Sequence, residues 1–190
     1  MLGKLQQKKI ERLFRAIDRD GDGLLEAGDF SALASKLAIA RKIDMSSALY
    51  KEMHATQLTW WEEIRRASGK DFTERVTLNE WITFWGAWLT IVADEAGSGQ
   101  QNALKAMKDS AAITFDIVDG DRDGRVTPSE YESWTRSFVL DDYDARANFR
   151  RLDRNQDGVL TRDEVVSLLK EFFLTNDPES PGNHLYGPLF

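Results

Sequence analysis

The pattern Asp-x-(Asp/Asn)-x-Asp-Gly occurs at Asp18-Asp20-Asp22-Gly23, at Asp119-Asp121-Asp123-Gly124 and at Asp153-Asn155-Asp157-Gly158. Each copy continues to an apolar residue two places after the glycine (Leu25, Val126, Leu160) and closes on an acid at the twelfth position (Asp29, Glu130, Glu164). The repeat is therefore a twelve-residue loop, and its flanks have helical period. Ile10, Leu13, Phe14 and Ile17 precede the first copy, and Phe30, Leu33, Ala34 and Leu37 follow it. Ala111, Phe115 and Val118 lead into the second copy and Tyr131 and Trp134 leave it. Phe149 and Leu152 lead into the last copy, which Val165, Leu168, Leu169 and Phe172 follow. Helix, loop, helix is the unit that the chain repeats.

Calcium takes six to eight oxygen ligands, and a loop of this length supplies them from positions 1, 3, 5, the carbonyl of 7, position 9 and an acid at 12. In the first copy these are Asp18, Asp20, Asp22, the Leu24 carbonyl, Glu26 and Asp29. In the next they are Asp119, Asp121, Asp123, the Arg125 carbonyl, Thr127 and Glu130. The last offers Asp153, Asn155, Asp157, the Val159 carbonyl, Thr161 and Glu164. Clustered Asp and Gly also occur in plain Asx turns on solvated loops. The acid ring, the turn glycine, the apolar eighth residue and the helical flanks occurring together favour metal in all three. Asp29 is one methylene shorter than Glu130 and Glu164, which predicts a first site more tolerant of magnesium.

These features identify EF hands. A further copy fits between the first and the next, at residues 69–80, with Val76 and Glu80 in register. Gly69 and Thr73 replace two ligands and Glu74 the turn glycine, leaving Asp71 and Glu80 as its remaining carboxylates. Its flanks persist in Trp60, Trp61, Ile64, Trp81, Phe84, Trp85 and Trp88. A hand without ligands still covers its partner's apolar face, so hands 1 and 2 are expected to pair, as are hands 3 and 4, through Leu25, Val76, Val126 and Leu160. The expected fold is all-α: four EF-hand helix-loop-helix units in two pairs forming one compact globule, with short β-bridges between paired loops. The N-terminal pair is set at residues 1–95, the C-terminal pair at 102–175 and a tail packed on the body at 176–190. Residues 96–101, rich in Gly, Ser and Gln, read as a linker.

A formal net charge of -7 opposes nucleic-acid phosphate, and doublets such as Lys8-Lys9 and Arg65-Arg66 are too short to form a basic stripe. With no cysteine there is neither a disulfide framework nor a thiolate site, and the cytoplasm is the expected compartment. The N-terminus has no apolar signal region, and Gly3 stands one place too late for myristoylation. The apolar stretch 81–93 has the length of a core helix, not of a membrane span. His54 and His184 accompany no nucleophile motif, so no enzyme is expected. The six tryptophans read as core in preference to a ligand cavity.

The chain resembles the sarcoplasmic calcium-binding protein, calexcitin and calerythrin group, both in four hands with the second degenerate and in the tail Asn176-Asp177-Pro178 and Gly182-Asn183-His184-Leu185-Tyr186-Gly187. The resemblance implies a cytoplasmic calcium buffer, with three calcium ions, magnesium at the first hand and a signalling role within the group's range. Photoproteins and luciferin-binding proteins are related, although the chain ends on Phe190 where photoproteins close their cavity with proline. A calcium-switched sensor of a protein target or small ligand is thus the alternative. Only Met1, Met45, Met53 and Met107 are present, too few for the adaptable surface of a promiscuous sensor. The partners expected are calcium ions, with no nucleic acid and no membrane, on a monomer. Pro178, Pro181 and Pro188 stiffen the tail, and Leu185, Tyr186, Leu189 and Phe190 give it residues to bury.

Overall fold

A computed structural model describes residues 2–70, 75–98, 102–136 and 143–187. Helices α1 (Lys4–Ile17), α2 (Ala27–Ala40), α3 (Ala48–Ala67) and α4 (Leu78–Ser98) are followed by α5 (Asn102–Val118), α6 (Pro128–Thr135), α7 (Ala145–Leu152) and α8 (Arg162–Leu174). Four two-residue strands lie between the helices of each hand: β1 (Leu24–Leu25), β2 (Val76–Thr77), β3 (Arg125–Val126) and β4 (Leu160–Thr161). β1 pairs antiparallel with β2 in the register Leu25↔Val76, and β3 with β4 in the register Val126↔Leu160. These are the pairings expected of the eighth-position residues, and all four are buried. A short bridge satisfies backbone groups that a lone loop would leave exposed to its partner's apolar face.

The helices begin where the loops place capping groups. Thr127 accepts from Glu130 N while the Glu130 side chain accepts from the Thr127 N–H, and Pro128 stands in the first turn, where no N–H is needed. Thr161 and Glu164 repeat this box before α8. One acid thus serves both as helix cap and as the twelfth residue of its loop.

The chain divides into two compact units, Ile10–Trp85 and Met1–Lys9 with Gly86–Phe190, the divisions falling inside α1 and α4. In the first unit Phe14 meets Trp81 edge-on at 6.2 Å and Phe30 lies 5.6 Å from Trp61. The Trp81 indole donates to the Ile10 carbonyl at 2.9 Å, which satisfies its one polar atom. Trp60, Phe84 and Trp88 are only half-buried, whereas Trp61, Trp81 and Trp85 belong to the core. Helix α4 runs through Ala96–Ser98, so the first half of the expected linker is helical: Glu95 and Ala96 propagate a helix already nucleated by a long apolar run. No helix among the described residues is long and apolar enough to cross a membrane.

In the second unit α5 packs on α8, α6 on α7, and a 3-10 turn (Pro181–His184) lies against α8 and α7. Gly182 makes that approach close: a Cβ there would stand 2.6 Å from the Leu168 carbonyl and 2.4 Å from Glu171 Cβ. Glu171 Oε2 accepts from Ser180 Oγ at 2.8 Å and from Gly182 N at 3.2 Å, tying the turn to α8. Leu185 is buried, and Tyr186 lies 4.8 Å from Phe172 and 5.2 Å from Trp134, ring to ring. Leu189 and Phe190 lie outside the described residues.

Lys9 departs most from its sequence reading. It is 1% exposed, and its Nζ donates to the Thr175 carbonyl at 2.9 Å and Asn183 Oδ1 at 3.0 Å, 5.4 Å from the Phe172 ring centre. No carboxylate pairs with it among the described residues, and burial lowers its pKa from 10.5 to about 8.

Candidate metal centres

Each loop is shaped by its own side chains before any ion is considered. In loop 1 (residues 18–29) Asp20 Oδ1 accepts from Asp22 N at 3.1 Å and Asp22 Oδ1 from Leu24 N at 2.9 Å, while Gly23 N donates to Asp18 Oδ2 at 3.0 Å. Loop 3 (119–130) repeats the pattern, with Asp121 Oδ1 accepting from Asp123 N, Asp123 Oδ1 from Arg125 N and Asp119 Oδ2 from Gly124 N. Loop 4 (153–164) does so with Asn155, Asp157 and Asp153 accepting from Asp157 N, Val159 N and Gly158 N. One oxygen of each aspartate is thereby committed to the backbone, and in loop 1 the other oxygen of Asp18 also accepts, from Gly21 N at 3.0 Å. The glycines at the sixth position have φ of +81°, +85° and +87°, where a Cβ is opposed. The fourth position is also left-handed: Gly21 holds φ +71° in loop 1, and Arg122 and Gln156 hold +60° and +59° in the others.

Carboxylate oxygens of loops 1 and 3 converge. Asp18, Asp20 and Asp22 each bring a carboxylate oxygen within 4.8 Å of the other two, and so do Asp119, Asp121 and Asp123. In loop 4 Asn155 takes the place of the middle acid. Asp119 and Asp153 are buried, and their Oδ1 atoms accept no hydrogen bond. A buried carboxylate oxygen without a donor is expensive unless a cation completes it, so the donor set of loops 3 and 4 fits a hard divalent ion.

The twelfth residue differs among the loops in a way side-chain length alone does not predict. Glu130 Oε1 accepts from Gly120 N at 2.6 Å and Oε2 from Thr127 N at 2.9 Å. Burial raises its pKa, but the bonds from Thr127, Gly120 and Asp121 outweigh it and the net shift is downward. Asp29, though shorter, spans the equivalent amides, accepting from Arg19 N at 3.0 Å and Glu26 N at 2.9 Å. Here burial dominates, assisted by Asp20 and Asp18, and the Asp29 carboxyl is pushed up.

The second hand holds cations of its own chain. Lys70 Nζ lies 2.9 Å from Glu80 Oε1, while Glu80 Oε2 accepts from Thr77 N and Oγ1. The Thr77 amide, the Lys70 ammonium and the Thr77 hydroxyl together hold the Glu80 carboxyl down at about 2. Asp71, its other remaining acid, lies outside the described residues. Sequence reasoning passed over Lys70 and Arg75 because neither occupies a ligand position.

The EF hand family model matches residues 10–34, 111–133 and 146–169. These three segments match the EF hand, and the paired helix-loop-helix units have the fold of EF-hand proteins. It is similar to the luciferin-binding protein of Renilla reniformis, 24% identical over 96% of this chain and 93% of the relative. Calerythrin of Saccharopolyspora erythraea is 20% identical, over 90% of this chain and 94% of its own length. A sarcoplasmic calcium-binding protein from amphioxus shares the fold at a TM-score of 0.71 and 21% identity, covering 99% of both chains.

Proposed function

We propose that the chain is a calcium buffer in which loops 1, 3 and 4 each take one ion and loop 2 takes none. The buried Oδ1 atoms of Asp119 and Asp153 carry this reading, because each is a carboxylate oxygen that accepts no hydrogen bond while its Oδ2 is held by the turn glycine of its loop. Bound calcium would supply the positive charge that the converging carboxylates lack. In each loop the first, third and fifth side chains, the carbonyl of the seventh residue, the ninth residue and the twelfth acid would hold it: Asp18 to Asp29, Asp119 to Glu130 and Asp153 to Glu164. Loop 1 would also accept magnesium. Residues 1–95 and 102–175 are then the two pairs of a cytoplasmic monomer, and 176–190 the closing segment.

Buffering in preference to sensing is supported by the tail. A sensor must offer an apolar groove when calcium binds, and here Leu185, Tyr186 and the Gly182 approach cover α8 and α7. Calorimetric titration with calcium, with and without magnesium, tests the reading: saturation at three equivalents supports it and saturation at two or four refutes it.

A second reading stands level with the first. Asn148 Nδ2 donates to Tyr131 Oη at 2.7 Å and to the His184 carbonyl at 2.6 Å, beside the rings of Trp134 and Tyr186. Hydrogen-bonding groups among aromatics suit a small aromatic ligand, and one relative is named for binding luciferin. Quenching of tryptophan fluorescence by luciferin, reversed by calcium, would favour a calcium-switched ligand carrier over a buffer.

A further inference from the structure

The β1–β2 bridge sets Leu24 opposite Thr77 and Leu25 opposite Val76, which brings residue 75 of the second hand alongside the ligands of the first. Arg75 Nη1 lies 3.0 Å from Asp22 Oδ2, and its Nε lies 2.9 Å from Glu26 Oε2. Asp22 and Glu26 are the fifth and ninth residues of loop 1. With Oδ1 of Asp22 accepting from Leu24 N, both oxygens of that carboxylate are engaged, one of them by a cation.

The C-terminal pair lacks this arrangement. The residue that faces loop 3 as Arg75 faces loop 1 is Val159, which carries no charge. Arg125 stands in the corresponding place toward loop 4, and among the described residues it makes no ion pair. Among the described residues, loop 1 is the one complete loop that meets a guanidinium from its partner.

We infer that Arg75 determines the affinity of the first hand: a guanidinium supplied by the degenerate loop competes with calcium for Asp22 and Glu26 and makes this the weakest of the three sites. The inference rests on loop 1 being a calcium site. For Asp22 Oδ2 to turn toward an ion, the guanidinium must release it, and it then faces a dication of like sign. Glu26 can keep its contact with Arg75 if the ninth position is filled through water. The side chain of Arg75 is 50% exposed, so solvent screens both effects and the competition is modest. In the ion-free chain Arg75 offsets repulsion among the loop 1 acids, so its removal should act on the two states with opposite sign.

The test uses the full chain with Glu130→Gln and Glu164→Gln, which confines calcium to loop 1, with and without Arg75→Gln. Calorimetry should show calcium binding roughly twofold to fivefold tighter in the Arg75→Gln chain, the size expected on removing a half-exposed charge beside a site. Arg75→Lys should fall between, since it keeps the charge but not the two-pronged contact. The gap should narrow as salt rises, and in chelator Arg75→Gln should melt no higher than its parent. Equal affinity, or weaker binding with Arg75→Gln, overturns the inference. If the parent and the Arg75→Gln chain both bind no calcium, loop 1 is no site, and the three-ion reading falls together with the inference. If the background variants unfold, the Gly23 amide resonance followed during calcium titration of the otherwise native chain gives the same comparison.

Discussion

Lys9 is a buried ammonium with no carboxylate beside it among the described residues, and it yields a prediction of definite sign. Its pKa falls from 10.5 to about 8 because burial penalises the charge. Below about pH 8 both folded and unfolded chains carry the proton and the penalty is present in full. Between about 8 and 10.5 the unfolded chain binds a proton that the folded chain has released, so stability rises with pH. The whole shift corresponds to about 3 kcal/mol, of which about 2 kcal/mol is recovered between pH 7 and pH 9.5. For a chain of this size that is roughly 4–8 °C in Tm. Lys9→Met keeps the length of the side chain and removes the titration. At pH 7 it also strips the Thr175 carbonyl and Asn183 Oδ1 of a donor, at about 1–3 kcal/mol each, which offsets the relieved charge. The discriminating quantity is therefore the slope and not the stability at one pH. Thermal melts in saturating calcium from pH 7 to pH 9.5 should show the parent gaining several degrees relative to the Lys9→Met chain. Lys36, whose pKa burial also lowers, contributes equally to both and cancels. Parallel slopes would refute the argument that Lys9 is buried without a counter-ion.

Asp29→Glu should raise the preference of the first hand for calcium over magnesium, measured by competitive calorimetry; an unchanged ratio would show that Asp29, which already reaches the Arg19 and Glu26 amides, is not limited by its length. Gly182→Ala should cost about 1–3 kcal/mol in a denaturant titration, because the new methyl meets the Leu168 carbonyl at 2.6 Å and the turn must shift off α8; equal stability would mean the turn does not sit so close. Deleting residues 183–190 should increase binding of an apolar dye in the calcium-loaded state, since Asn183 and Leu185 are buried in the intact chain; unchanged fluorescence and melting would mark the tail as loose.

The hands and their bridges were legible because their causes are local. A glycine at φ +85°, a threonine followed three residues later by glutamate, and an apolar eighth residue each leave a mark at a fixed offset. The left-handed fourth position showed itself only through Gly21, since Arg122 and Gln156 adopt the same conformation with ordinary side chains. What the sequence concealed is where its cations go. Lys70 and Arg75 stand at the second and seventh positions of a loop, which contribute no side-chain ligand, so a comparison with the ligand pattern passes over them. Their partners are fixed by loop closure onto Glu80 and by the register of β1 on β2. Lys9 likewise looks like half of a solvated doublet until residues 175 and 183, distant in sequence, are brought to it. A hand that loses its ligands keeps a loop, a bridge and an acid at its end, and the charge left by the missing ion has to be met from elsewhere. In the second hand Lys70 meets that charge on Glu80, and Arg75 carries the same kind of neutralisation across the bridge to Asp22 and Glu26. Degeneration of one loop thereby becomes a means of setting the affinity of the loop paired with it.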